Sequence, residues 1–403
     1  MQERIIDAEL YCKKNMVYKY KMESESKYER FDSLEIQCIE NGIVHPISST
    51  RDNLNKTQGG VTDVNLNFIQ LSLTKRVSPK NFTLEFEDWY CGCSNNFQLE
   101  EADYVDEDVV FLGALSSHYG HFITEGLARL WFFLDSKNLH YKGVYISDSR
   151  NNKFIDCFRF FGIKDKNFLE ITKPTRFRTV IIPEPSIRLH DFYHSKYKQT
   201  IDKIKENVVP AQYAKVFFSK AKSASGRGEG ELPIQTVFEG NGFAICYPER
   251  MSMYETISVL KGCSEFAATS GTNIHNSIFM NDGKSLICLN RSGHFHPLQI
   301  MIDRMKNFQA TYVDVFLFST DSNFGDSPCF VSVTSHLRKF FNNRNFCYGS
   351  VRYFFMTPYY LVLFMIYLLY KKLNSLYFKM TKSNCKSIRI LAGCFRKIKG
   401  FVF

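Results

Sequence analysis

Short apolar runs bounded by turn residues alternate with segments of helical period along most of this chain. That alternation restricts the fold more than any other feature of the sequence. From residue 108, "DVVFLGAL" reads as a buried strand and "SSHYGHFITEGLARLWFFL" (116–134) as a helix. "KGVYISDS" is a second strand, "KFIDCFRFFGI" a helix, and "FRTVIIPEP" a strand stopped by prolines. After the polar stretch "DFYHSKYKQTIDKIKENVVP" a second series begins. The strands "AKVFFSK", "GFAICYP", "SEFAATSG", "GKSLICLN" and "TYVDVFLF" are separated by the helices "LPIQTVFEGN", "ERMSMYETISVLKGC", "TNIHNSIFM" and "HPLQIMIDRMKN". Strands alternating with helices predict an α/β fold with parallel sheets. Two Rossmann-like halves facing one another would leave a cleft between them. Residues 1–100 read as turns and strands, such as "GGVTDVNLNFIQLSLTKRV" and "NFTLEFEDWYCGC". At 403 residues the chain holds two ordinary domains and an extension.

The charge is uneven. Of the 51 lysines and arginines, 13 lie in 327–403, where there is no acid; the other 38 face all 41 acids, a net of −3. The body is mildly acidic and the tail strongly basic. Within the tail, "YFFMTPYYLVLFMIYLLY" (353–370) is 18 residues without a charge, interrupted by Pro358 and carrying five tyrosines. Downstream, Ile388, Leu391, Phe395, Ile398 and Val402 recur at helical spacing with bases between them, the pattern of a helix that lies on anionic lipid. The aromatics cluster in the apolar run instead of interleaving with the bases, which argues against nucleic acid. The expectation is an anionic membrane as partner, with 353–370 either crossing the bilayer or lying against it. An apolar helix packed on the body fits the same letters.

The twelve cysteines are scattered, with no CxxC pair and no zinc-ligand spacing. "MQERIIDAELYCKKN" has no apolar signal core, so reduced thiols and a cytoplasmic setting are expected, and the N-x-S/T sequons at Asn55, Asn81 and Asn290 then carry no glycan.

Three groups of residues are candidates for chemistry. In 116–134, His121, Glu125 and Arg129 follow one another at four-residue spacing and would share a helix face. His121 or Glu125 would take a proton from a hydroxyl, with Arg129 holding Glu125 ionised or binding an anion. A buried hydrogen-bond ladder without chemistry is the alternative, and His118, His121 and Glu125 are also a plausible metal-ligand set. In "FAATSGTNIHNSIF" a strand ends at Ser270-Gly271 and a helix opens with Thr272 and Asn273, a place for a diphosphate or simply a capped turn. In "SKAKSASGRGEGE", Lys220 closes a strand and Arg227 lies between glycines in a loop that would close over phosphates or simply face water. "HDFYH" has Asp191 where a zincin needs glutamate, and "DED" at 106–108 precedes a strand instead of following one, so neither is given weight.

In this order, "HYGHFITEGLARL" and "GFAICYPERMSMYETISVLKGCSEFAATSGTNIHNSIFM" resemble the glycosyltransferase family 61 (DUF563) pattern over roughly residues 60–320. The resemblance implies a two-lobed GT-B-like fold, with 1–205 as an acceptor-side lobe and 206–330 as a lobe binding a nucleotide sugar. Residues 331–403 would be a basic, membrane-associating extension. It implies inverting transfer to a hydroxyl of a glycan or lipid-linked acceptor, with no metal or other cofactor. His121 and Glu125 would be the catalytic pair, with Glu125 favoured as the base or its orienter and Arg129 and His118 in support. Lys220, which stands where family members more often have arginine, and Arg227 would meet the diphosphate with Ser270, Gly271, Thr272 and Asn273. Asn276, His275 and the "Pro-Glu" acid, Glu249, would lie around the donor. The expected setting is the inner face of a bacterial membrane, in capsule or lipopolysaccharide synthesis. A metal-dependent hydrolase and a non-catalytic scaffold of a polysaccharide assembly are the other readings.

Overall fold

A computed structural model describes residues 17–20, 28–51, 57–80, 83–89, 92–93, 97–147, 156–189, 191–222, 230–292, 295–319 and 329–342, with five further positions between 358 and 372. Two sheets form its frame. In the first, β1 (Asp103–Leu115), β2 (Lys142–Ser147), β3 (Phe168–Glu170) and β4 (Thr175–Pro183) run parallel in the order β3-β2-β1-β4. Beyond β4 the sheet turns antiparallel through Ile43–Arg51 and Thr57–Thr62, and Ile36–Glu40 also pairs with β4.

In the second sheet β5 (Lys215–Phe218), β6 (Ala244–Cys246), β7 (Glu265–Thr269), β8 (Ser285–Asn290) and β9 (Gln309–Asp314) run parallel in the order β6-β5-β7-β8-β9. This is a doubly wound arrangement of the flavodoxin-like order. The Val17–Tyr20 strand pairs antiparallel with β9, so part of the segment assigned from sequence to the first lobe closes the edge of the second sheet.

The alternation of side chains along the strands sorts the core into layers. Val109 and Phe111 of β1 face one apolar cluster with Val44, Val144, Phe177 and Val180. Val110 and Leu112 face the opposite cluster, which also holds Val216 and Phe218 of β5 and Phe266 and Ala268 of β7. That central cluster therefore draws on both sheets, and the two halves share a core below their rim. Helix α1 (Asp156–Phe161) belongs to this layer, and so does α2 (Ser195–Glu206), which buries Tyr197, Ile201 and Ile204 there. The stretch around 191–206 that reads as a polar separator is thus a core helix whose lysines mask its apolar stripe.

On the far side of the second sheet, α3 (Glu231–Gly240) packs Ile234, Val237 and Phe238 against Phe217, Ala267 and Ile287. Leu337, Phe340 and Phe341, from the helix Ser335–Asn342, join the same cluster, so the packed unit runs on to 342 instead of ending at 330. Helix α4 (Met253–Gly262) starts with a capping box in which Ser252 and Glu255 satisfy each other's backbone amides. Helix α5 (Pro297–Met305) precedes β9. The expected "TYVDVFLF" strand divides into β9 and a second strand, Phe316–Ser319, that pairs with Cys329–Val331.

Among the described residues no helix is long and apolar enough to cross a membrane. Most of 353–370 and all of the 388–402 stripe lie outside them.

Candidate active site

In open parallel sheets ligands bind beyond the carboxyl ends of the strands, where the strand order reverses. The first sheet reverses between β1 and β4, and the second between β5 and β7. The segment after β1 carries His118–Glu125, and the segments after β5 and β7 carry Lys220 and Ser270–Asn273. The described members of all three candidate groups therefore stand at the two switch points.

The segment after β1 is not one continuous α-helix. Tyr119–His121 makes an α turn, Phe122–Gly126 widens to a π turn, and Leu130–Leu134 tightens to 3-10. Widened turns of this kind occur often at functional sites. His121 Nδ1 lies 2.7 Å from Glu125 Oε2. The His121 side chain is 32% exposed and that of Glu125 11%. Both are half-buried, the carboxylate more deeply than the imidazole. His118 is exposed, its ring centroid 5.0 Å from that of His121.

Arg129 does not continue the stripe. It is buried, and its guanidinium donates to the carbonyls of Pro183 and, at 2.7 Å, Leu71. Burial lowers its pKa to about 9, with Glu184 opposing the fall, so it stays charged at neutral pH. The expectation that Arg129 holds Glu125 ionised is corrected here. The π turn rotates position 129 away from the 121–125 face, and the side chain ties the end of β4 to the 71 loop.

The two switch points meet. Tyr119 donates its hydroxyl hydrogen to Asn276 Oδ1 at 2.5 Å. A Cβ added to Gly120 would lie 3.3 Å from both Thr272 Oγ1 and His118 Cε1, so the lack of a side chain at 120 permits the close approach. Asn276 is 1% exposed and its amide donates to the carbonyls of Thr272 and Asn273. Its polar atoms thus join the two loops from inside. His275 is also buried, with Nδ1 2.9 Å from Gln299 Oε1.

At the turn itself, Gly271 has φ +102°, which suits glycine, and a Cβ there would lie 2.8 Å from an Arg291 guanidinium nitrogen. The Ser270 amide is taken up by the Leu289 carbonyl, and Ser270 Oγ accepts from the Arg291 amide. The amides that a first helical turn leaves over are those of the residues that follow, not that of Ser270. Thr269 Oγ1 and Asn273 Nδ2 are buried without a hydrogen-bond partner among the described residues. Orphaned polar atoms of this kind call for a ligand or an ordered water.

Two residues not singled out from the sequence complete this end of the sheet. Arg291, buried just past β8, lies against Gly271. Glu231, 2% exposed at the start of α3, accepts from the Lys220 amide at 3.0 Å through Oε1, while Oε2 has no partner among the described residues. Burial raises the Glu231 pKa to about 7. The bond from the Lys220 amide and the charges of Lys220 and Arg291 oppose the rise, and Glu249 adds to it. Lys220 is half-buried and Glu249 exposed. Arg227 lies outside the described residues.

Among the described residues no three His, Cys, Asp or Glu side chains gather as a metal-binding group, so His118, His121 and Glu125 are not assembled as a ligand set. The aspartates of "DED" are ion-paired across the sheet, Arg178 reaching Asp108 at 2.9 Å and Asp106 at 3.3 Å. In "HDFYH", His194 caps α2 by accepting from the Lys196 amide, and His190 lies outside the described residues. Asn290 is 1% exposed and donates to Asp314, which closes that sequon to glycosylation.

A search of curated proteins found no match to the chain. Residues 119–287, the segment that runs from Tyr119 through both switch points into β8, match the family model described as Glycosyltransferase 61, and this match supports a glycosyltransferase of that family.

Proposed function

We propose that the chain is an inverting, metal-independent glycosyltransferase of the two-lobed GT-B type. It would hold a nucleotide sugar at the β5–β7 crevice and move the sugar to a hydroxyl of a glycan or lipid-linked acceptor. The observation that carries this reading is the junction at Tyr119–Asn276 and Gly120–Thr272, which sets a histidine–carboxylate pair beside a turn lined with cations and orphaned polar atoms.

His121 is the base in this mechanism. Glu125 accepts from Nδ1–H, which fixes the tautomer and leaves Nε2 as the proton acceptor. This reverses the weighting from sequence, which favoured Glu125. Nε2 takes the proton of the acceptor hydroxyl, whose oxygen attacks the anomeric carbon from the face opposite the diphosphate. The bond from that carbon to the diphosphate oxygen breaks, and the diphosphate leaves with the electron pair. Lys220, Arg291, Arg227 and the amides of 271–273 offset the charge that develops on it. Thr272 and Asn273 would contact the diphosphate directly, while His275 and Asn276 support the turn. The basic tail would keep the enzyme on an anionic membrane, where lipid-linked acceptors for surface polysaccharides such as capsule or lipopolysaccharide are found.

A thermal-shift screen against nucleotides and nucleotide sugars, with and without EDTA, tests the reading. One nucleotide family should stabilise the protein, and EDTA should leave the shift intact. His121→Ala should then lower kcat by about 10²–10⁴-fold while keeping that stabilisation. No shift with any nucleotide would refute the donor site.

A further inference from the structure

We propose that a second pocket, on the first sheet's side of the molecule, binds one neutral sugar residue of the acceptor. This rests on the transferase reading. The cavity measures about 180 Å³, below the usual range for drug-sized ligands, so it suits a single pyranose ring and not a nucleotide. It opens where Glu184 and Pro185 follow β4, beyond the carboxyl end of that strand and on the side where Ile36–Glu40 pairs with it.

Its lining is suited to hydroxyl groups. Gln37, Gln70 and Lys75 face it together with Glu35, Glu184 and Arg188, and Leu71 and Leu73 supply an apolar patch for the C–H face of a ring. Several of these charges are already matched. Arg30 donates to the Glu184 carboxylate, which also accepts from the Glu35 amide at 3.0 Å, and Arg188 pairs with Asp191 at 2.9 Å. Gln37 donates to Glu35 at 2.7 Å, which leaves its carbonyl oxygen for a ligand. The Lys75 ammonium and the Gln70 amide carry no hydrogen bond or ion pair among the described residues. With Lys75 set against Glu35, the lining is close to neutral, which favours a neutral sugar over a uronate.

The pocket is built onto the catalytic segment. Arg129 grips the carbonyls of Pro183 and Leu71, and Trp131 Nε1 donates to the Glu184 carbonyl at 2.8 Å. The segment that begins with His121 and Glu125 therefore holds both walls through Arg129 and Trp131.

Saturation-transfer difference NMR on the full chain tests the assignment. The probes are the methyl glycosides of glucose, galactose and mannose, with methyl glucuronide for comparison. At least one neutral glycoside should receive saturation, and an added nucleoside diphosphate should not displace it. Gln70→Ala and Lys75→Ala, both at the rim, should each weaken the signal by about fivefold, the value of one hydrogen bond. Neither should change stabilisation by the nucleotide sugar found in the thermal-shift screen. The proposal is overturned if no neutral glycoside binds, if the glucuronide binds better, if the nucleotide displaces the signal, or if neither variant alters it. Glycoside binding in a protein that no nucleotide stabilises would sink the donor reading and leave the pocket standing.

Discussion

Glu231 is where burial and charge most clearly compete in this molecule. A glutamate titrates near 4.5 when unperturbed, and burial raises this one to about 7 in the fold. The folded state therefore binds the proton more tightly than the unfolded chain does. The stability this contributes is complete below about pH 4.5 and is lost as pH rises through about 7. A diphosphate placed among Lys220, Arg291 and the 271–273 amides brings negative charge toward the carboxyl and raises its pKa further. Binding then takes up a proton near neutrality. Affinity for a nucleotide sugar, whose phosphodiester groups do not titrate in this range, should fall as pH rises above about 7, by at most about tenfold per pH unit. Isothermal titration calorimetry across that range, in buffers of different ionisation enthalpy, measures the affinity and the proton uptake together. Glu231→Gln should flatten the profile. A flat profile in the unaltered protein would place the diphosphate away from Glu231.

The segment 119–134 shows which part of an element is legible in sequence and which is not. His121 and Glu125 meet because they span only the first turns, where four-residue spacing still keeps two side chains on one side. Arg129 comes after the π turn, and a period of 3.6 no longer locates it. The turn at 270–273 was legible for a local reason, since small residues end an apolar strand there. The burial of Glu231 and Arg291 was not, because it follows from the order β6-β5-β7-β8, and no pattern within "GEGELPI" or "LNRSG" encodes strand order. Helix α2 was missed because its lysines dominate the composition of the stretch, although Tyr197, Ile201 and Ile204 keep helical spacing. The reassignment of Arg129 has a measurable consequence. Arg129→Met would leave the Pro183 and Leu71 carbonyls without their donor, at about 1–3 kcal/mol each, offset in part by removing a buried charge. Tm should fall by about 2–5 °C. The apparent pKa of the catalytic base in a kcat/KM profile should not move, since Arg129 does not touch the pair. A displacement of that pKa by about one unit would return Arg129 to a role beside Glu125.

At the scale of the whole molecule, the two sheets are held together by more than the apolar cluster they share. Tyr119 bonds to Asn276 across the rim, and Lys205 of α2 donates to the Met280 carbonyl at 3.2 Å on the opposite chain segment. The packing ends with Leu337, Phe340 and Phe341. Beyond it, Val362, Met365 and Leu369 are helical positions and are 49%, 53% and 56% exposed. Exposed apolar side chains within a segment of 13 bases and no acids are suited to an anionic lipid surface better than to water. Removing 345–403 takes away no residue of the described core, so the shortened chain should fold and keep its stabilisation by the nucleotide sugar. It should move from the membrane pellet to the supernatant in a fractionation, and lose binding to vesicles containing phosphatidylglycerol. Binding by the full chain should weaken as salt rises, because the bases act through screened charge. Retention of the shortened chain in the membrane fraction would mean that the packed body, and not the tail, holds the enzyme at the bilayer.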